Sequence, residues 1–207
     1  MLGQTRYPRT ALDHYPTQPP ATQALMSVPQ VSRRLKNSIV WEPCCGDGAI
    51  VKEIIPHCAD VVYTDIAAYE GFDPDALVDL LALPDLASLC QQVAGRDPPD
   101  GIITNPPYGD LAQPIIEKAI DLMKDRKGFV MMLLRHEWDC ASGRKHLFAD
   151  HPAFYAKVTL TFRPHWVKPE PGKKAGSPRF SYAWFIWDWS KEPAIPSLNL
   201  YAHRPAA

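Results

Sequence analysis

The chain has 207 residues, of which 46% are hydrophobic, and its formal net charge is −1. This length suffices to bury the core of one domain. No apolar run approaches the ~20 residues that a membrane span needs, and the start lacks a secretory apolar segment, so we expect a cytoplasmic protein without a membrane partner. The five cysteines show neither CxxC nor Cys/His ligand spacing, which predicts reduced thiols and no metal site.

Charge and proline are distributed unevenly along the chain. Counting Lys and Arg against Asp and Glu, residues 1–40 carry a net charge of +4, residues 41–125 one of −12 and residues 126–207 one of +7. Basic ends around an acidic centre suit polyanion binding, and they are equally typical of solvated faces. The 22 prolines concentrate in three segments that we interpret as arms and loops: 8–29, 164–178 and 193–205.

Strand and helix patterns alternate from residue 38 onward. The helical segment 111–124 places Leu111 and Ile115 on one apolar stripe, and the run 129–134 is uninterrupted and apolar, as in a strand covered on both faces. This repetition predicts a parallel α/β sheet, in which ligands bind beyond the carboxyl ends of the strands. The predicted strands are 38–41, 61–63, 76–78, 101–104, 129–134, 154–163 and 180–187, and the predicted helices are 49–55, 84–94 and 111–124.

The turn after the first strand runs from Glu42 through Pro-Cys-Cys-Gly-Asp to Gly48. Glycines permit positive φ angles and a close approach of the backbone to a ligand. The turn lacks the Lys and Ser/Thr of a phosphate-binding loop, and it is not GxGxxG. With Glu42 and Asp47 nearby, it suits a ligand that carries positive charge and an amine. S-adenosylmethionine, with its sulfonium and ammonium groups, fits this description.

Acidic residues follow the next two strands. Asp65 is placed like the acid that binds a ribose diol in nucleotide-binding α/β folds. Ile66 beside it suits packing on an adenine face, and Asp79 suits acceptance of a hydrogen bond from the adenine amino group. Each acid can also be interpreted as a helix cap or a solvated loop residue, and for Asp79 that interpretation weighs nearly as much.

The sequence Asn105-Pro106-Pro107-Tyr108 follows the strand 101–104. An amide, a rigid carbonyl and an aromatic ring at one sheet edge suit the binding of a flat group with an exocyclic NH2. The ring stacks on its face, while the Asn105 oxygen and the Pro106 carbonyl accept its two hydrogens. The structural alternative is a Pro-Pro turn that simply closes the strand.

Three features together resemble class I S-adenosylmethionine-dependent amino-methyltransferases. They are the turn Glu-Pro-x-x-Gly-x-Gly, an acid that closes the second strand, and Asn-Pro-Pro-Tyr closing the fourth. The most similar family is that of the DNA adenine-N6 methyltransferases. The segment 13–17, Asp-His-Tyr-Pro-Thr, is similar to that family's extra cofactor motif, and its place before the glycine loop resembles the gamma order. The resemblance spans residues 13–187.

The resemblance implies a Rossmann-like methyltransferase fold of the α/β class, with a mostly parallel seven-stranded sheet, helices on both faces and an antiparallel last strand. It implies an N-terminal arm and helix at 1–36 that contribute to the cofactor site. The catalytic domain would be 37–190, and 191–207 would be a proline-containing tail. Family members usually carry a separate recognition domain. Since none is evident here, we expect minimal recognition, a partner protein that supplies it, or a single-stranded target.

The implied reaction is transfer of a methyl group from S-adenosylmethionine to the N6 amino group of adenine in DNA. Asn105 and Pro106 would draw the amino nitrogen toward tetrahedral geometry, and Tyr108 would stack on a base that has left the duplex or is single-stranded. Cys45 stands where the family usually has a small residue. The implied cofactor residues are Tyr15, Thr17, Glu42, Cys45, Gly46, Gly48, Asp65, Ile66 and Asp79. The implied substrate residues are Pro107, with Phe180 and Trp166 as rivals for the second face of the base, and Lys173, Lys174 and Arg179 as phosphate contacts.

Three functional hypotheses stay open. The first is a small DNA adenine-N6 methyltransferase, and the second is the same chemistry on RNA adenine, cytosine N4 or a protein glutamine. The third is a catalytically inactive subunit that binds nucleic acid or cofactor, against which the intact Asn105 and Tyr108 argue. Cytosine C5 methylation is rejected, because Pro43-Cys44 precedes the cofactor glycines instead of closing the fourth strand.

Overall fold

The computed structural model describes residues 15–166, 177–191 and 198–202, the last as backbone only. The described strands form one sheet in the order β3-β2-β1-β4-β5-β7-β6-β8. The strands are β1 (Ile39–Glu42), β2 (Asp60–Asp65), β3 (Ala76–Leu77), β4 (Gly101–Thr104), β5 (Phe129–Arg135), β6 (Phe154–Leu160), β7 (Tyr182–Asp188) and β8 (Leu198–Ala202).

The strand directions confirm the predicted α/β class. Neighbours from β3 through β5 are parallel, whereas β7 is antiparallel to both β5 and β6. The sheet has eight strands rather than the predicted seven, because β8 pairs in parallel with β6 at its edge. This strand lies within 191–207, where the sequence predicted a tail.

Helices cover both faces of the sheet, as predicted. Residues of the first three helices pack on one face, and residues of the last two pack on the other. The first two helices each begin with a proline, which has no N–H to leave unpaired in the first turn. The helices are α1 (Pro19–Met26), α2 (Pro29–Leu35), α3 (Ala49–Ile54), α4 (Leu86–Gln92) and α5 (Ala112–Met123).

The centre of the core is formed by β5 and β7. Every residue of β5 up to Leu134 is buried, as the continuous apolar run predicts, and all of β7 is buried. Two indoles of β7 satisfy their N–H groups inside this core: Trp184 donates to the Ala21 carbonyl at 2.9 Å and Trp187 to the Leu147 carbonyl at 2.6 Å. The first of these bonds ties α1 to the sheet.

The predicted apolar stripe of the fifth helix is wrong at its first member. Leu111 precedes α5 and its side chain is 52% exposed, whereas Ile115, Ile116 and Ala119 are buried. The helix therefore buries the stripe that starts one turn later. No helix in the described part of the chain is long and apolar enough to cross a membrane.

Candidate functional site

A cleft of about 520 Å³ opens where β1, β2 and β4 end. Since these strands are parallel neighbours, the segments that follow them meet at one sheet edge. The cleft therefore brings together predicted residues that are distant in sequence: Tyr15, Thr17, Cys45, Gly46, Asp65, Ile66, Asp79, Asn105, Pro106, Pro107 and Tyr108.

The glycine loop turns tightly between β1 and α3. The Cys45 N–H donates to the Thr64 carbonyl at 3.0 Å, and the Gly48 N–H donates to the Cys45 carbonyl at 2.8 Å. Gly46 and Gly48 have φ angles of +52° and +74°, which favour glycine. A Cβ on Gly48 would lie 2.3 Å from the Phe72 ring. Gly48 thus makes room for Phe72. It does not line the cleft, although the resemblance implied that it lines the cofactor site.

Glu42 lies behind this loop with its side chain fully buried, and not in the cleft wall. Its Oε1 accepts a hydrogen bond from the Cys44 N–H at 3.1 Å, while Oε2 has no partner among the described residues. Burial raises the pKa of this carboxyl to about 8, and the charge of Asp65 adds to the rise, against opposing effects of Thr104 and the Cys44 N–H. The carboxyl is therefore mostly protonated at neutral pH.

Asp65, at the end of β2, holds the glycine loop in place. Its Oδ2 accepts from the Gly46 N–H at 2.9 Å and its Oδ1 from the Ala67 N–H at 3.2 Å. A carboxylate oxygen has more than one acceptor site, so both oxygens keep capacity for a further donor. The sequence predicted the contact with a ligand but not this contact with the loop.

One wall of the cleft is apolar and open. Ile66 is 60% exposed, and Leu81 and Leu111 join it with 39% and 52% exposure. The sequence did not predict the two leucines, since leucine in a loop carries no local signal of a binding role. Asp79, in the same wall, accepts from the Leu81 N–H at 2.9 Å and caps a short 3-10 segment. The contacts of Asp79 are therefore those of a cap, which was one of its two interpretations.

The amide of Asn105 is held at both ends. Its Nδ2 donates to the Thr17 hydroxyl oxygen at 3.1 Å, and its Oδ1 accepts from the Tyr108 hydroxyl at 3.0 Å. Burial raises the pKa of Tyr108 well above its usual range, so the phenol stays protonated and able to donate. In the same cleft, burial also raises the pKa of the Cys45 thiol, which stays uncharged.

Aromatic side chains enclose the ring of Tyr108. Its centroid lies 6.4 Å from that of Tyr15 and 6.2 Å from those of Trp166 and Tyr182. Trp166 therefore contacts the edge of the motif and is not in the cleft wall. Tyr182 lies in β7 and is 3% exposed.

Two of the remaining predicted substrate residues, Phe180 and Arg179, lie outside the cleft wall. The Arg135 guanidinium lies over the ring of Phe180, and the distance from Arg135 Cζ to the ring centroid is 3.9 Å. Arg179 is exposed beside it, and Lys173 and Lys174 lie outside the described residues. Within the described ranges no group of three or more His, Cys, Asp or Glu side chains is placed to hold a metal ion.

Three solved structures share this fold. A protein provisionally assigned as an RNA methyltransferase from Pyrococcus horikoshii is 14% identical with a TM-score of 0.54, and the match covers 90% of this chain and 93% of that one. A modification subunit from Vibrio vulnificus, of a provisionally assigned type I restriction enzyme, is 13% identical with a TM-score of 0.55, covering 94% and 48%. A provisionally assigned hemolysin from Lactococcus lactis is 9% identical with a TM-score of 0.59, covering 89% and 94%.

These likenesses concern the fold. No protein-family model and no curated protein sequence matches the chain. At identities of 9 to 14%, the shared feature is the arrangement of strands and helices. The chain has the Rossmann-like architecture found in methyltransferases, as the resemblance implied.

Proposed function

We propose that the protein is an S-adenosylmethionine-dependent methyltransferase that acts on the exocyclic N6 amino group of adenine in DNA. One observation carries the proposal: Asn105-Pro106-Pro107-Tyr108 opens into the same cleft as the glycine loop and Asp65. The residues that we propose for the target amino group and those that we propose for the cofactor therefore line one cavity.

The residues of the cleft suit the proposed cofactor. Asp65 has acceptor capacity for a ribose diol, and Ile66 with the two exposed leucines offers an apolar surface for a flat ring. Asp47, Asp65 and Asp79 line the same cavity, which favours a cationic ligand over a phosphate. When bound, S-adenosylmethionine supplies an electrophilic methyl group.

The Asn-Pro-Pro-Tyr segment supplies acceptors for the target. A carbonyl oxygen accepts two hydrogen bonds, and Tyr108 uses one acceptor position of Asn105 Oδ1, which leaves the other for an amino hydrogen. The Pro106 carbonyl is the second acceptor. Because the lone pair of an adenine amino group is delocalised into its ring, alignment by two fixed acceptors contributes to the rate.

The charge distribution and two structural neighbours support nucleic acid as the substrate. Arg163 and Arg179 are exposed in the basic region before β7. A neighbour named as a restriction modification subunit favours DNA and a partner protein that supplies target recognition. The neighbour named as an RNA methyltransferase makes RNA adenine the second candidate.

Transfer of labelled methyl from S-adenosylmethionine to unmethylated duplex DNA, single-stranded DNA, RNA and bulk protein tests the proposal. We expect label in DNA with the wild type, none with Asn105→Ala, and a wild-type level with Asn37→Ala, whose exposed amide lies outside the cleft wall. Label in RNA alone would transfer the proposal to the second candidate. Cofactor binding without any transfer would identify an inactive binding subunit.

A further inference from the structure

The side chain of Thr17 meets Asn105 across 88 residues of sequence. We propose that Thr17 is a positioning residue: its hydroxyl fixes the amide of Asn105 so that Oδ1 is presented to the target amino group. This inference rests on the proposed function, and it gives Thr17 a role other than the cofactor contact implied by the family resemblance.

Orientation decides what an asparagine does, because its oxygen accepts and its NH2 donates. If the Asn105 amide were rotated by about 180°, its NH2 group would face the target amino group, which is itself a hydrogen-bond donor. Tyr108 donates to Oδ1 and Thr17 accepts from Nδ2. A phenol oxygen is a poorer acceptor than an aliphatic hydroxyl, since its lone pair is delocalised into the ring. The Asn105 oxygen therefore prefers the Tyr108 side, and its NH2 prefers the Thr17 side.

The contact also affects how well Asn105 accepts. When Nδ2 donates a hydrogen bond, the amide is polarised and its oxygen carries more negative charge, so hydrogen bonds in series strengthen one another. Tyr108 fills one acceptor position of Oδ1. Since Asn105 lines the cleft, the strengthened second position is the one that we expect the target amino group to use. Thr17 is 6% exposed, so this bond forms with little competition from water.

Packed elements carry Thr17 and Asn105. Thr17 lies two residues before α1, and α1 is fixed to the sheet by the bond from the Trp184 indole to the Ala21 carbonyl. Asn105 directly follows β4 in the same sheet. The donor and the acceptor are thus carried by packed elements, as a preorganised site requires.

The first test compares three variants. Thr17→Val removes the hydroxyl at nearly constant shape, and Thr17→Ser restores it. Thr22→Val is the matched control, because Thr22 is fully buried in α1 and its hydroxyl has no partner among the described residues. We expect the single-turnover rate at saturating S-adenosylmethionine to fall roughly 10- to 100-fold in Thr17→Val, to recover to within a few-fold in Thr17→Ser and to stay unchanged in Thr22→Val.

If Thr17 only contacted the cofactor, Thr17→Val would raise the cofactor Kd and leave the single-turnover rate at saturating S-adenosylmethionine unchanged. That outcome, with Kd measured by calorimetric titration of S-adenosylmethionine, would overturn the inference. Transfer to none of the nucleic acid or protein substrates by the wild type would instead refute the proposed function.

A second measurement does not depend on activity. The chain contains three asparagines, Asn37, Asn105 and Asn199, so ¹⁵N-asparagine labelling yields three side-chain amide pairs, and Asn105→Asp assigns one by its loss. We expect Thr17→Val to shift the Asn105 amide signals and speed their exchange with water, and Thr17→Ser and Thr22→Val to leave them near their wild-type values. Unchanged Asn105 signals in Thr17→Val would show that the hydroxyl does not hold the amide.

Discussion

The buried carboxyl of Glu42 makes stability depend on pH in the opposite direction to a carboxylate that gains an ion pair on folding. Its pKa rises from 4.5 to about 8 on folding, chiefly through burial. Below pH 4.5 the group is protonated in both states and contributes nothing to the pH dependence. Between the two values the folded state binds more protons than the unfolded state, so the free energy of unfolding falls as pH rises.

Substitution by glutamine, which resembles the protonated carboxyl in shape and charge, removes this dependence. One pKa unit corresponds to ~1.4 kcal/mol, so the full penalty is ~5 kcal/mol above pH 8. Between pH 5 and pH 7 the part due to Glu42 is ~2.5 kcal/mol. We therefore expect the free energy of unfolding of Glu42→Gln, minus that of the wild type, to grow by ~2.5 kcal/mol over this interval.

Urea unfolding of both proteins at pH 5, 6 and 7 measures this difference, and other titrating groups cancel in it. The control is Glu70→Gln, which replaces an exposed glutamate, and its difference from the wild type should stay constant. A Glu42→Gln difference that is flat, or that shrinks as pH rises, would refute the claim that Glu42 is held protonated.

Two further substitutions test the loop and the motif. Gly48→Ala should lower the free energy of unfolding by ~2 kcal/mol more than Gly71→Ala. Both glycines have positive φ, but only a Cβ at position 48 would clash with Phe72. Equal losses of the free energy of unfolding in urea would contradict this prediction. Tyr108→Phe keeps the ring but removes the donor to Asn105 Oδ1, so we expect kcat to fall by roughly 5-fold in steady-state methyl transfer. An unchanged kcat would show that the Tyr108 hydroxyl has no part in the reaction.

Local patterns predicted most of the sheet. The apolar run of β5 and the aromatic run of β7 carry strong strand signals, and both strands are fully or almost fully buried. The strand β8 was not predicted, because its pairing with β6 joins segments some forty residues apart in a proline-rich region. Such pairing depends on the packed sheet and leaves little trace in the local sequence.

The sequence also predicted which residues meet at the sheet edge, but not what they contact. Motif spacing placed Asp65 at the end of β2 and Asn105 directly after β4, and both line the cleft. The contact of Asn105 with Thr17, the burial of Glu42 and the packing of Phe72 on Gly48 each join distant segments. These contacts arise only when helices and loops pack on the sheet.

The chemical identity of the methylated product tests the proposed function most directly. DNA treated with the protein and S-adenosylmethionine is digested to nucleosides, and the products are separated and identified by mass spectrometry. We expect N6-methyladenine from the wild type and none from Asn105→Ala. Methyl groups found only on C5 of cytosine, or an unchanged yield from Asn105→Ala, would contradict the proposed function.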